Sequence, residues 1–128
     1  TIFDIVHQLY QNDPMYDQYL SSAVVIDSKL LPGRYVAADG SKIVSPYGSE
    51  IDVWPNVING VHVIEVQYFN LPKAACEALL ANDWGNGVVN VTVNAGVSTT
   101  TTGAPKFDPA QAVTQCYGTS TFIAVDIQ

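Results

Sequence analysis

The spacing of apolar residues changes along this 128-residue chain, and that change constrains the fold more than any other feature. In the first 31 residues, apolar side chains recur every three or four positions, which is the period of an α-helix. After residue 50 they alternate with polar residues over short runs, which is the period of a β-strand. Helices followed by strands, without regular strand–helix alternation, predict an α+β fold with a mainly antiparallel sheet.

Two helices are predicted in the first part of the chain. The first covers Thr1–Tyr10, and the second extends from Asp13, a natural N-cap followed by proline, to Leu31. Pro32 and Gly33 then end the second helix. A third, short helix is predicted later in the chain, and its apolar face consists of Ala75, Cys76, Leu79 and Leu80.

The second part of the chain is predicted to supply the sheet. Its strands are Glu50–Trp54, Val61–Phe69, Val88–Asn94 and Thr119–Ile127. A turn at Pro55–Gly60 joins the first two strands, and Arg34–Gly48 is predicted as a loop with short extended pieces. The Thr-rich segment Gly96–Pro109 is predicted to be an exposed loop. We expect a single domain over residues 1–128, with helices at 1–31, a loop region at 32–49, and the sheet and a disulfide-bounded region at 50–128.

Composition limits the classes of partner. Apolar residues make up 48% of the chain, which excludes disorder, whereas charged residues make up only 13%. The net charge of −7 argues against binding to nucleic acid or to anionic lipid. The sequence has no run of 18 apolar residues and does not open with a signal peptide. Because it begins at Thr1, we expect a processed chain or a fragment of a longer one.

The two cysteines, Cys76 and Cys116, lie 40 positions apart without a CxxC motif or a neighbouring histidine. A zinc site is therefore not expected. The pair is interpreted as one disulfide, which would contribute roughly 4 kcal/mol by closing a long loop and would indicate an oxidising compartment. Two reduced, buried cysteines remain the alternative.

The sequence offers little support for catalysis or metal binding. His7 and His62 lie 55 positions apart without an evident third partner, and no Gly-x-Ser-x-Gly motif is present. The segment 82–87 could place oxygens around calcium, but a plain turn is favoured. The pairs Glu50 with Asp52 and Asp52 with Glu65 are more typical of solvated strand edges than of a glycosidase. We therefore predict no enzyme, no metal and no cofactor.

Two further features have a structural and a functional interpretation. An aromatic sugar-binding platform could be formed by Tyr47, Trp54, Tyr68 and Trp84, although core and loop-anchoring roles are favoured by the area that each ring buries. Asn90, Val91 and Thr92 form a glycosylation sequon, which has no meaning in an ordinary bacterial chain.

Four segments follow one another along the chain: Tyr19–Pro32, Ser45–Gly48, Tyr68–Leu79 and Ala112–Cys116. In this order they resemble the soluble domain of a bacterial type IVb pilin of the thin-pilus kind. Tyr19–Pro32 resembles the helix that follows the pilin spine, and Ser45–Gly48 stands where such pilins have Asn-Pro-Trp-Gly. Tyr68–Leu79 is similar to the strand, turn and cysteine-bearing helix of the family, and Ala112–Cys116 is similar to the region of its second cysteine. The resemblance covers nearly the whole chain, without the hydrophobic N-terminal half of the pilin helix.

The resemblance implies a pilin fold, in which an N-terminal helix packs on the sheet and Cys76 pairs with Cys116. It also implies a structural subunit that polymerises into an extracellular filament for adhesion, aggregation or conjugation. Copies would meet through the segments Tyr35–Gly48 and Cys76–Cys116. The resemblance also implies minor pilins and a cell-surface receptor as further partners. Contact with the inner membrane would occur before assembly, through the helix half that precedes this chain. A minor or tip pilin, or a type II secretion pseudopilin, is the alternative.

Overall fold

A computed structural model gives the fold of the chain. It describes residues 5, 6, 8, 9, 21–45, 49–58, 60–81, 88–93, 99–102, 110, 116 and 121–127. Helical residues precede an antiparallel sheet, and a further helix lies between two of its strands in the sequence. The α+β class and the antiparallel sheet are therefore confirmed. The division into segments 1–31, 32–49 and 50–128 stays a prediction.

The N-terminal segment is helical wherever it is described. Ile5, Val6 and Leu9 are buried, whereas Gln8 is exposed. The three apolar residues belong to the same core cluster as residues of the sheet. One apolar side of this helical segment therefore packs against the sheet, as its periodicity predicts.

The first helix with complete bounds is α1, Ser22–Asp27. Its N-cap is Ser21, whose Oγ accepts a hydrogen bond of 3.5 Å from the Val24 N–H. Serine is a favoured N-cap because its hydroxyl accepts from an N–H that lacks a partner within the helix. Val25 is fully buried and anchors α1 in the core.

The end of α1 corrects the predicted helix end at Leu31. Ser28 caps the helix, and its Oγ donates a 2.6 Å hydrogen bond to the carbonyl of Val25. Lys29 then adopts a left-handed backbone with φ of 62°. A serine hydroxyl that bonds to the local backbone, followed by a residue of positive φ, ends a helix although the apolar period continues.

Among the described residues, the sheet has six strands in the order β1-β2-β3-β6-β4-β5, and its paired neighbours are antiparallel. The strands are β1 (Ile43–Val44), β2 (Glu50–Ile58), β3 (Val61–Leu71), β4 (Val88–Val93), β5 (Thr99–Thr102) and β6 (Thr121–Ile127). The last strand in the sequence thus lies between β3 and β4, near the centre of the sheet.

Two strand predictions are wrong. β2 continues through Pro55 to Ile58, although a turn was predicted at Pro55–Gly60. Ile58 pairs with Val61, and the described residue between these paired ends is Gly60, with φ of 79°. Pro55 is tolerated because only the first residues of β2 pair with β1, so a missing N–H on that side breaks no ladder bond. β5 lies within the predicted Thr-rich loop, where the β-propensity of threonine favours the strand.

The core lies on one face of the sheet. Ile64, Val66 and Tyr68 of β3 alternate onto this face and pair with Ile127, Val125 and Ile123 of β6. Ile64 lies on the core face together with its register partner Ile127. Val91 and Val93 of β4 extend the core, and the buried residues of α1 and of the N-terminal segment belong to it.

A short helix follows β3 directly. The register between β3 and β6 shifts between Tyr68 and Leu71, and Asn70 there has a positive φ of 53°. The helix α2, Lys73–Leu80, begins directly after Pro72. It buries Ala75, Cys76 and Leu80, which are three of the four residues predicted for its apolar face.

Candidate assembly surfaces

The Cys76–Cys116 disulfide joins α2 to the segment before β6. The S–S distance is 2.00 Å, the Cα atoms are 5.8 Å apart, and both cysteines are fully buried within the core cluster. The bond closes a loop that contains β4 and β5. By the chain-entropy relation, a loop of this length stabilises the folded state by roughly 4 kcal/mol.

Lys73 adds a second link between α2 and Cys116. Its Nζ donates a 2.5 Å hydrogen bond to the carbonyl oxygen of Cys116. The same ammonium lies 3.0 Å from a carboxylate oxygen of Glu77, one helical turn further along. Sequence reasoning missed Lys73, although the Lys–Glu spacing of four residues around a helical cysteine was a usable signal.

We expect Lys73→Met to lower the free energy of unfolding by about 1 kcal/mol, because the carbonyl of Cys116 loses a charged donor. The value is modest because the lysine side chain is half exposed. Chemical denaturation with the disulfide intact measures the change. The matched control is Lys42→Met, since Lys42 makes only a 3.7 Å surface ion pair with Glu50. Equal effects of the two substitutions would contradict a specific role for Lys73.

The loop region after α1 is held in place by short local structure. A single 3-10 turn, Gly33–Tyr35, is followed by a bridge between Val36 and Ile43. Between them the chain turns back, with the Ala37 N–H donating to the carbonyl of Lys42 at 2.9 Å. Ile43 is fully buried, so this region is anchored in the core although its turn is exposed. Residues 46–48 lie outside the described part of the chain.

The surface of this loop region carries positive charge on an acidic chain. Lys29, Arg34 and Lys42 are exposed, whereas the whole chain has a net charge of −7. The Arg34 guanidinium lies 4.8 Å from the ring centre of Tyr35, in a cation–π arrangement. Asp39 accepts hydrogen bonds from the Ser41 hydroxyl and N–H, at 2.7 and 3.0 Å, and these bonds lower its pKa. The region therefore presents fixed charges of both signs, with a local excess of basic groups.

The face of the sheet opposite the core holds a polar network. Asn56 Nδ2 and Gln67 Nε2 donate to the two carboxylate oxygens of Glu65, at 2.9 and 2.5 Å. Glu65 pairs in register with Asp126 of β6, and Asn90 of β4 donates to Asp126 Oδ2 at 3.1 Å. We call these five residues, Asn56, Glu65, Gln67, Asn90 and Asp126, the polar network.

Asp126 is the most deeply buried acid of this network, with 1% of its surface exposed. Burial, the hydrogen bond with Glu65 and the charge of Glu65 together raise its pKa from 3.8 to about 7. Hydrogen bonds from Asn90 and Asn56 offset part of this rise. No described residue is a hydrogen-bond partner of Asp126 Oδ1 or Asn90 Oδ1. The site therefore binds a proton more readily than an exposed aspartate does.

The structure also locates the other candidate residues. Asp52 and Glu65, which the sequence analysis considered and disfavoured as a glycosidase pair, lie on adjacent strands. Gln67 is the register partner of Asp52, and Trp54 is that of Glu65. Burial and the nearby Glu50 raise the pKa of Asp52. No three of the His, Cys, Asp and Glu residues that the structure describes, His62 included, are grouped so that they could hold a metal ion.

The two described residues of the disfavoured sugar-binding platform lie on opposite sides of the sheet. Tyr68 is buried in the core, whereas Trp54 is 52% exposed on the opposite face. Tyr47, Trp84, His7 and the segment 82–87 lie outside the described residues. The sequon residue Asn90 is 93% buried and bonded to Asp126, so its amide is not accessible in the folded chain.

In this chain, a helical N-terminal segment packs on one face of an antiparallel sheet, and a disulfide joins a mid-chain helix to the last part of the chain. This is the arrangement of a type IVb pilin domain. The Bundlin family model matches residues 1–123. Since that match covers nearly all of the sequence, the chain belongs to the Bundlin family.

Two curated relatives carry the same description, "Major structural subunit of bundle-forming pilus". The protein from Escherichia coli O127:H6 (strain E2348/69 / EPEC) is 27% identical over 124 residues, and the protein from Escherichia coli O111:H- is 25% identical. The match covers 89% of this chain and 64% of each relative, so the chain spans less than two thirds of their length. No solved structure matched the chain. Within the described ranges, no helix has the length and apolar character needed to cross a bilayer.

Proposed function

We propose that this chain is the globular part of a structural subunit of a type IV pilus, and that copies polymerise into an extracellular filament. The match of residues 1–123 to the Bundlin family carries the proposal. The names of the two relatives support a major rather than a minor subunit. A structural family also supports a role without catalysis, and neither a metal nor a cofactor is part of the proposal.

Two surfaces are proposed to mediate contact between copies. They are the loop region Tyr35–Gly48 and the disulfide-bounded region Cys76–Cys116. A contact between two different surfaces that does not close into a ring generates a helical filament. Lys42 within the loop region and Arg34, which directly precedes it, support this pairing, because an acidic copy offers them opposite charge. The disulfide would hold the second surface rigid.

The remaining partners belong to the same proposal. Minor pilins and a cell-surface receptor would bind the assembled filament, and the subunit would reside at the inner membrane before assembly. A minor or tip pilin, or a type II secretion pseudopilin, is the second candidate, because each would share the fold. The number of copies per sheared filament separates a major subunit from either of these.

We expect the double charge reversal Arg34→Glu and Lys42→Glu to reduce the yield of filaments at least about tenfold, because like charges would then face each other between copies. The full-length gene product is expressed in a bacterium that assembles type IV pili. Filaments are sheared, and the chain is quantified by immunoblot and immunogold labelling. Asp27→Lys, a charge reversal at an exposed position outside both surfaces, is the control and should leave the yield unchanged.

The outcomes separate the parts of the proposal. Absence of the unmodified chain from sheared filaments would reject the pilus function. Normal filament yield from the double variant would reject the loop region as a contact and leave the function standing. Circular dichroism of each purified domain shows whether the substitutions change the fold.

A further inference from the structure

In the part of the sheet that the structure describes, most of one edge of β2 is not paired with another strand. β1 pairs only with Glu50 and Ile51, whereas β3 pairs with β2 from Ile51 to Ile58. We call the side of β2 that faces away from β3, from Asp52 to Ile58, the free edge. No described strand lies beside it. Such an edge normally offers N–H and C=O groups to a strand of another molecule.

The N–H groups along the free edge can be accounted for one by one. N–H groups of alternate residues point to the same side of a strand. The Val53 N–H donates to Ser22 Oγ of α1 at 2.8 Å, so it points away from β3, and residues 55 and 57 share its direction. Pro55 has no N–H. The Val57 N–H donates to Asn56 Oδ1 at 2.8 Å.

We infer that the free edge of β2 is closed to strand addition, so that copies of this chain do not join their sheets through this edge. Each outward N–H from Val53 to Val57 is either bonded within the chain or absent. The carbonyl groups of an incoming strand would lie against this edge without donors, and a buried carbonyl without a partner is costly. In addition, α1 contacts β2 and lies across its edge at Val53.

The residues along the free edge also fit an edge that is closed to strand addition. Trp54 and Val57 are each more than half exposed beside it, and Val61 on the neighbouring strand is 43% exposed. Exposed apolar residues on an open strand with free donors would favour edge-to-edge association. Proline on the edge and a side chain that occupies a backbone donor prevent that association without removing the apolar surface. The inference concerns this chain itself and holds whether or not the proposed pilus function is correct.

The test restores the missing donors. In the double variant Pro55→Thr and Asn56→Val, residue 55 gains an outward N–H and the Val57 N–H loses its side-chain partner. We expect self-association to tighten about ten- to a hundredfold relative to the parent chain, as two hydrogen bonds become available. Sedimentation equilibrium gives the dimer dissociation constant, and amide hydrogen exchange shows whether residues 53–57 become protected in the dimer.

The matched control is the double variant Pro72→Thr and Gln67→Val. It makes the same kind of proline replacement at the start of α2, and it removes the other amide that donates to Glu65. Unchanged association of the test variant would overturn the inference, as would equal association of test and control.

A second measurement uses the unmodified chain and does not depend on the variant folding. A synthetic peptide with the sequence of Ile51–Ile58 is added to the protein, and amide chemical shifts are followed by NMR. We expect no shift changes at Val53 or Val57. Saturable changes along the free edge would show that it accepts a strand and would overturn the inference.

Discussion

Replacement of both Cys76 and Cys116 by alanine is expected to lower the free energy of unfolding by roughly 4 kcal/mol. The disulfide closes a 40-residue separation, so its loss releases a large amount of chain entropy in the unfolded state. The total stability of a domain of this size is about 5–15 kcal/mol. A loss of this size therefore removes a large part of it. Urea denaturation of oxidised protein measures the change.

Reduction provides the control for this prediction. A reducing agent should lower the denaturation midpoint of the parent chain towards that of the double variant and should leave the variant unchanged. Thiol titration of the denatured parent under non-reducing conditions is expected to find no free thiol. Two free thiols per chain, or equal midpoints for parent and variant, would contradict the stabilising role of the bond.

Loss of the disulfide should loosen the structure near the two cysteines before the whole domain unfolds. Cys76 and Cys116 are both fully buried in the core cluster, and Lys73 also bonds to the Cys116 carbonyl. Without the disulfide, the hydrogen bond from Lys73 still links α2 to Cys116. We therefore expect amide exchange to increase first in α2. This is the edge of the disulfide-bounded surface that we propose to contact neighbouring subunits.

Periodicity predicted those parts of the fold that depend on local spacing. The α+β class, the α2 helix and the alternation within β6 follow from which residues are apolar. The central place of β6 does not, because its partners in β3 and β4 are set by contacts between residues far apart in sequence. Pro55 was misjudged for a related reason, because only the short pairing of β1 with β2 leaves its missing N–H without consequence. At Ser28 the cause is local, because a hydrogen bond from its side chain to the Val25 carbonyl ends α1 while the apolar period continues.

The polar network illustrates the same limit for a candidate site. Glu65, Asn90 and Asp126 lie on three strands, and only the register of the sheet brings them together. The sequence did contain a signal, since Asp126 stands between Val125 and Ile127 in a strand that is otherwise largely apolar. An acid at such a position is costly unless its charge is neutralised or hydrogen-bonded. Sequence reasoning did not connect Asp126 with Asn90 or Glu65.

The protonation of Asp126 leads to the second large prediction: the free energy of unfolding should fall as the pH rises from about 4 to about 7. The folded state raises the pKa of Asp126 from 3.8 to about 7, chiefly because the carboxyl is buried. Over this interval the folded chain holds a proton that the unfolded chain has lost, so rising pH favours unfolding. Below pH 4 both states hold the proton, so the contribution of Asp126 to the free energy of unfolding no longer changes with pH.

Three acids share this face of the sheet: Asp52, Glu65 and Asp126, on β2, β3 and β6. Each unit of pKa shift corresponds to about 1.4 kcal/mol, so the stability change amounts to a few kcal/mol. For a domain of this length, we expect the melting temperature to be about 10 °C lower at pH 8 than at pH 5. Thermal unfolding followed by circular dichroism in buffers of equal ionic strength measures the profile.

The variant Asp126→Asn assigns this profile to one carboxyl. Asparagine keeps the size of the side chain and stays neutral, so the fall in stability between pH 4 and pH 7 should largely disappear, and the variant should be more stable than the parent at pH 8. Asp39→Asn is the control, because Asp39 is exposed and its pKa is lowered by Ser41. Its loss should leave the fall above pH 4 intact. A parent chain whose melting temperature is constant from pH 4 to pH 8, or a variant that keeps the parent slope, would show that the polar network does not retain a proton in the folded state.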